Sequence, residues 1–365
     1  MTTVAVERSE TPDPVPASGP LRAVRLNALT YPVEEGEREA LRRAGAGLVE
    51  IEGQEPEEIL AAAHDADALL VVSSRVPGAV IAGLSRCRVI ARLGAGTDRI
   101  GVAEASRQGI VVANVPDFCI NELAEHTMAL LLACGRRLFH MAEAMRGGDW
   151  SARHHPGVHR LHGQTLGLLG FGASAQAVAE RAGPFGLRLM AWVRHPARYS
   201  GAAARLGARL VGWEELFAAA DFLSIHLPLT PETRHLVGAR ELAWMKPGAF
   251  LINTARGAIV DEQALVAALR EGRLGGAALD VYENLDVFAL PGAPPVHPLL
   301  ELGNVILTPH CGGSSVESTR DSKLRGAHNA AEVLLGCWPP YVVNPEVCPR
   351  TRLSPRPRQE RGASD

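Results

Sequence analysis

Short runs of β-branched and aliphatic residues recur along the chain, and between them lie longer stretches with apolar residues at helical spacing. The first third holds AVRLNAL, ALLVV, RVIARL and IVVANV. The remainder holds TLGLLGFG, LRLMAWV, FLSIHL, AFLINT, AALDVY and NVILTP. These runs are apolar on both faces, as strands of a parallel sheet covered on both sides must be, and the connectors are long enough for crossover helices. The alternation predicts an α/β fold in two lobes, each a doubly wound parallel sheet. Residues 121–146 carry the longest helical pattern, with Asn121 placed to cap it, Glu122 favouring its dipole and Gly147-Gly148 ending it. Its apolar residues cover more than one stripe, which predicts burial on two sides, one of them against a second subunit.

A length of 365 residues fits two domains, each able to bury a core. The formal net charge of −3 provides no basic field for nucleic acid or an anionic membrane. Lys246 and Lys323 are the only lysines, which argues against a Schiff-base mechanism. The six cysteines form no CxxC pair and read as reduced thiols of a cytoplasmic protein. Residues 1–20 lack the basic and apolar regions of a signal peptide, and no apolar run reaches the length of a membrane span. Residues 1–20 and 349–365, rich in Pro with Ser and Thr or Arg, are predicted to be disordered tails.

TLGLLGFG runs directly into GFGASAQAVAERA, so Gly170, Gly172 and Ala175 fill the G-x-G-x-x-G/A fingerprint. Gly170 suits the tight turn, Gly172 admits a pyrophosphate close to the backbone, and Ala175 lets helix and strand pack. The N–H groups opening the helix, at Ala173 and Ser174, then face the phosphates. At the end of the next strand, where an NAD site has an acid for the ribose hydroxyls, the chain has Val193 followed by Arg194. An arginine there suits a 2′-phosphate, so the cofactor leans towards NADP; stacking of Arg194 on adenine, with NAD bound, is the alternative.

LINTARGAIVDEQAL places Arg256 at the mouth of a strand, before a helix capped by Asp261, where a guanidinium can clamp a carboxylate by two parallel hydrogen bonds. NVILTPHCGG places His310 at the end of a later strand, a natural proton donor at neutral pH. Singly, such an arginine is more often in a surface ion pair and such a histidine is more often packed. His154, His155, His159 and His162 have no spacing that justifies a metal site, no resident metal is expected, and Cys119 reads as a packed thiol.

From about residue 68 to 346 the chain resembles the D-isomer-specific 2-hydroxyacid dehydrogenases. The resemblance is carried by LGAGTDRIGVAEASRQGIVVANVPDFCINELAEHTMALLLACGRR, GFGASAQAVAERA, IHLPLTPETRH, MKPGAFLINTARGAIVDEQAL, GAALDVYE and VILTPH. NVPDFCINELAEH is similar to the branch related to C-terminal-binding proteins. The resemblance implies a flavodoxin-like substrate domain from 21–119 and 309–348, a Rossmann cofactor domain over 120–308, and a homodimer made by the long helix. It implies that Arg256 binds the substrate carboxylate and polarises the keto oxygen, while His310 supplies the proton. Cofactor contacts fall on Gly170, Gly172, Ala173, Ser174, Arg194, Pro228, Thr233, Thr254, Ala255 and Asp280. Substrate contacts fall on Ser73, Ser74, Ala95 and Gly96, with Val72 beside them, and Asp98 matches a structural acid.

The family's acid that pairs with the histidine lies five residues after Asp280, and Leu285 stands there. Leucine neither raises a histidine pKa nor fixes its tautomer. Either Asp286 or Glu283 reaches His310 through a rearranged loop, or His310 works with a neutral partner, as in the formate dehydrogenase branch, or catalysis has faded. The leading expectation is an NAD(P)-dependent reductase of small 2-keto acids or related anions. The alternatives are a dinucleotide-sensing dimer of the C-terminal-binding-protein type and a dehydrogenase of a simple anion such as formate or phosphite.

Overall fold

The computed structural model describes residues 20–151, 157–288 and 295–355. The chain divides into two compact units, one running to Phe118 and resuming at Thr319, the other Cys119–Ser318. The second crossing thus falls after Ser318, where the sequence reading had placed it after residue 308.

In the first unit, strands β1 (Leu21–Arg25), β2 (Ala46–Glu50), β3 (Ala68–Val71), β4 (Val89–Arg92) and β5 (Val111–Ala113) run parallel in the order β2-β1-β3-β4-β5. This is the flavodoxin-like order, with its switch point between β1 and β3. Crossovers are made by α1 (Glu35–Arg43), α2 (Pro56–Ala63), α3 (Gly78–Ala82) and α4 (Val102–Arg107). Successive strand residues point to opposite faces, so Ala23 and Leu70 join one core layer while Val24 and Leu69 join the other. The C-terminal segment completes the first layer with Ala327, Ala330 and Val333.

An ion pair lies wholly inside this unit. Arg25 Nε donates to Glu37 Oε1 at 2.9 Å, with both side chains at 0–1% exposure. The other guanidinium nitrogens donate to the carbonyls of Leu26 and Tyr31, and Glu37 Oε2 accepts the N–H of Glu34. Each charge is thereby compensated, the condition under which a buried pair survives.

Residues 349–355, expected to belong to a disordered tail, are instead part of the first unit; the rest of that expected tail, 356–365, and residues 1–19 of the other lie outside the described residues. Arg350 donates to the carbonyls of Leu84 and Gln108, and its N–H to that of Gly109. A single arginine thus satisfies buried carbonyls that would otherwise lack donors.

In the second unit, α5 (Ile120–Gly135) and α6 (Leu138–Arg146) precede the sheet. Its strands β6 (Thr165–Leu169), β7 (Arg188–Trp192), β8 (Ala208–Leu210), β9 (Phe222–Ile225), β10 (Phe250–Asn253), β11 (Gly276–Leu279) and β12 (Val305–Leu307) lie parallel in the order β12-β11-β10-β9-β6-β7-β8. Helices α7 (Ala173–Ala182), α8 (Pro196–Leu206), α9 (Trp213–Ala219), α10 (Ala239–Trp244) and α11 (Glu262–Arg270) connect them. The strand order reverses between β6 and β9, so a crevice for a ligand opens beyond their carboxyl ends. β2 and β8 were not singled out in the sequence.

The single helix expected over 121–146 is two. Arg137 adopts φ +53°, donates from Nη1 to the Gly275 carbonyl at 2.7 Å and stacks over the Phe250 ring. These contacts draw it out of the helical path. Cys119, not Asn121, is the N-cap; Asn121 accepts from Arg181 instead. Ala124, Met128 and Leu131 of α5 are buried, whereas α6 buries nothing and ends at Gly147. The longest helix among the described residues is α12 (Val316–Leu334).

Replacing Glu37 by Ala would strand the Arg25 guanidinium in the core. The expected loss is about 3–5 kcal/mol of stability, read from the urea midpoint. A loss under about 1 kcal/mol would mean that solvent reaches Arg25 in the native state.

Candidate active site

The loop after β6 has the geometry that the glycines allow. Gly170 sits at φ +99°, and a Cβ there would lie 2.6 Å from the His226 carbonyl. Gly172 caps α7, and a Cβ on it would meet nothing within 4 Å, so the loop is open where a phosphate would approach. Ala175 is fully buried, and Ala173 and Ser174 open the helix with N–H groups outside the helical ladder. These residues fit a dinucleotide, Gly170 by its conformation and Gly172 by the space in front of it. His226 is lodged between Ser174 and Ser224, with Nε2 2.9 Å from Ser224 Oγ. Burial pushes its imidazole down to about 4, so it is neutral in the working range.

Further around the sheet edge, Val193 is buried just past β7 and Arg194 is exposed. Glu232 carries a carboxyl held low by the Thr230 hydroxyl, with Arg194 among its electrostatic neighbours. Thr233 donates to the Pro228 carbonyl at 2.7 Å and fixes that turn. Thr254 is buried and shares a hydrogen bond with Thr127.

The candidate reacting groups come from the ends of adjacent strands. Arg256 follows β10, Asp280 follows β11 and His310 follows β12, three neighbours spanning about 10 Å at ordinary strand spacing. Asn253 holds the first of these turns, accepting the Ala255 N–H and donating to the Arg256 carbonyl. Arg256 Nη1 donates to the Ala255 carbonyl at 2.7 Å. Gly257 must be glycine, because a Cβ would lie 2.0 Å from the Tyr282 carbonyl carbon. Asp261 caps α11 through the N–H groups of Gln263 and Ala264, as expected.

Asp280 fastens the turn that carries His310. Oδ1 accepts from Thr308 Oγ1 at 2.6 Å and from Cys311 N at 2.9 Å, and Oδ2 from Gly312 N at 2.8 Å. Burial alone would raise its carboxyl; hydrogen bonds from His126, Thr308, Gly312 and Cys311 outweigh that and hold it below the usual range. His310 itself adopts φ +55°, and its ring packs against Phe288, centroids 4.9 Å apart.

Leu285 is half-buried. Glu283, one of the two acids expected to reach His310, is engaged elsewhere: it pairs with Arg234 at 2.6 Å and His235 at 2.8 Å. Asp286 Oδ1 accepts the N–H of Phe288. Glu262 anchors both ends of this stretch, accepting from Glu283 N and Asn284 on one side and meeting His297 Nε2 at 3.0 Å on the other.

Four expected substrate residues belong to the first unit. The N–H groups of Ser73 and Ser74 both donate to Asn27 Oδ1, at 2.9 and 3.0 Å, with Asn27 at φ +63°. The carbonyls of Ala95 and Gly96 accept from Asn114 and Arg92. Arg256, His310 and every expected cofactor residue belong to the second unit. His154 and His155 lie outside the described residues. Sequence reasoning missed Asn253, His226, His126 and Asn27; the signal at Asn253 was a lone polar residue closing an apolar strand.

Residues 128–312 match the family model described as D-isomer specific 2-hydroxyacid dehydrogenase, NAD binding domain. A glyoxylate reductase of Aeropyrum pernix is 42% identical over 80% of this chain and 87% of its own length. A D-3-phosphoglycerate dehydrogenase of Methanocaldococcus jannaschii is 38% identical over 89% of this chain, which spans only 60% of that protein. The solved glyoxylate reductase of Paecilomyes thermophila superposes with a TM-score of 0.77 at 30% identity, over 90% of this chain and 99% of that one.

His226 provides a pH test of this environment. Its folded pKa lies below the ordinary 6.5, so between pH 4 and 6.5 the unfolded chain binds more protons and stability rises with pH, levelling off above. His226→Gln should flatten that part of the stability profile relative to wild type in urea melts at stepped pH. Identical profiles would show that the imidazole is solvated.

Proposed function

Since the chain belongs to the D-isomer specific 2-hydroxyacid dehydrogenase family and is an NAD(P)-dependent oxidoreductase, we propose that it reduces small 2-keto acids of the glyoxylate class. The observation that carries this reading is the placing of Arg256 and His310 at the ends of β10 and β12, with Asp280 between them. The nicotinamide cofactor, when bound, supplies the hydride. Arg256 clamps the substrate carboxylate and draws charge from the keto oxygen. His310 delivers the proton to that oxygen as the alcohol forms. Asp280 holds the His310 turn in register, and Asn253 does the same for Arg256. A pure dinucleotide sensor has no chemical need for this pair.

Arg194 favours NADP by offering a guanidinium where a 2′-phosphate would lie, with Glu232 as the charge that such a phosphate would displace. We assign the protein to the cytoplasm, in keeping with six free cysteines. No helix among the described residues is long and apolar enough to cross a membrane. The apolar side chains that α6 leaves exposed, Leu138, Phe139 and Met145, support a homodimer in which a second copy covers them.

NADH and NADPH oxidation with glyoxylate and larger 2-keto acids tests the chemistry. Arg256→Ala and His310→Ala should each cost about 10²- to 10⁴-fold in kcat/KM, and Arg194→Ala should raise KM for NADPH more than for NADH. Turnover that survives in both catalytic variants would sink the reductase reading. Phe139→Glu should shift the sedimenting species from dimer to monomer; an unchanged mass would remove α6 from the interface.

A further inference from the structure

One cluster in the second unit joins Asp280 to two donors, His126 and Cys311, that the chemistry above does not use. His126 Nε2, a carboxylate oxygen of Asp280 and Cys311 Sγ all lie within 4.8 Å of one another. They come from α5, the end of β11 and the turn after β12, so three separate elements bring them to one place. Their polar atoms converge on the Thr308 hydroxyl, 2.6 Å from Asp280 Oδ1 and 3.1 Å from His126 Nε2. The Cys311 thiol also bonds to Asp280 and Thr308, and burial with the adjacent carboxylate keeps it protonated in the metal-free protein. Asp280 is buried while His126 and Cys311 are half-buried, which leaves one side open to an incoming ion. Gly312 is part of the arrangement: a Cβ there would press on Asp280 Oδ2 at 2.8 Å and on the His126 ring at 3.0 Å.

We propose that His126, Asp280 and Cys311 form an inhibitory Zn²⁺ site. Imidazole, thiolate and carboxylate are the donor set of zinc, and the thiolate discriminates against magnesium and calcium. Zinc bonds of about 2.0–2.3 Å place tetrahedral donors roughly 3.3–3.7 Å apart; His126 Nε2 and Asp280 Oδ1 already stand 3.5 Å apart, so the Cys311 thiol needs to close by no more than about 1 Å as the Thr308 hydroxyl swings aside. Water fills the fourth position. Binding displaces the thiol proton to solvent and turns Asp280 Oδ1 from the Thr308 hydroxyl and the Cys311 N–H to the ion. Cys311 directly follows His310, so this exchange moves the residue that delivers the proton. Inhibition rests on the catalytic reading above; binding does not.

The purified full-length protein is titrated with Zn²⁺ against a chromophoric chelator, and with Co²⁺ as an optical probe of thiolate ligation. The expected result is one ion per chain, a thiolate-to-cobalt charge-transfer band, and 2-keto acid reduction that falls with occupancy and returns with EDTA. Cys311→Ser should abolish the band and weaken binding by about 100-fold or more, beyond the roughly 10- to 100-fold typical of an outer-shell change. His126→Ala should weaken binding similarly while every thiol stays in place. Binding and band unchanged in Cys311→Ser, or no binding by the wild type, would overturn the site. Full occupancy without loss of turnover would overturn its inhibitory role. If the wild type reduces no 2-keto acid, the functional reading fails alone, and the binding data still decide the site.

Discussion

The carboxylate of Asp280 is the point on which the turn carrying His310, at the carboxyl edge of the second unit's sheet, depends. It is 1% exposed, yet three strong donors and His126 keep it ionised. A charge in so dry a place is tolerable only while those donors stay, and the donors are the backbone and side chain of the turn bearing His310. The requirement runs both ways. Solvation of the acid fixes the turn, and the turn, with His310 in a left-handed conformation, exists because the acid is there. Asp280 therefore acts on His310 through the residues on either side of it, Thr308, Cys311 and Gly312.

The same logic appears on a smaller scale elsewhere. Asn253, the last residue of β10, ties down Ala255 and Arg256 with one amide. In the first unit Asn27, just past β1 at the switch point, gathers two N–H groups from the turn after β3. In each case a short polar side chain at a strand terminus replaces water as the partner of backbone groups, and a loop is set without regular structure.

The two-lobe α/β fold and ten of its apolar strands were legible because buried parallel strands must be apolar on both faces. β2 and β8 escaped notice for the complementary reason: they are edge strands in which only Ala46 and Ala208 are buried, so Ala46–Glu50 and Ala208–Leu210 carry little pattern. The break at Arg137 was hidden because Gly135, which ends α5, sits inside a helical pattern that continues past it; what turns Arg137 out is a distant carbonyl and a ring. Gly170, Gly172 and Ala175 could be read from spacing, since backbone geometry dictates those residues. The engagement of Glu283 with Arg234 and His235 could not, because it depends on which of several nearby cations the fold delivers.

Glu262 gives the loop after β11 an unusual property. One buried carboxylate at the start of α11 grips the chain at 283–284 and again at His297. The intervening stretch is thus clamped at both feet, and mutation or a change of length within it need not propagate into β11 or β12. Leu285, where the resemblance implies an acid, directly follows the first of these two anchors, so the side chain at that position can change while the fold's hold on the chain stays the same.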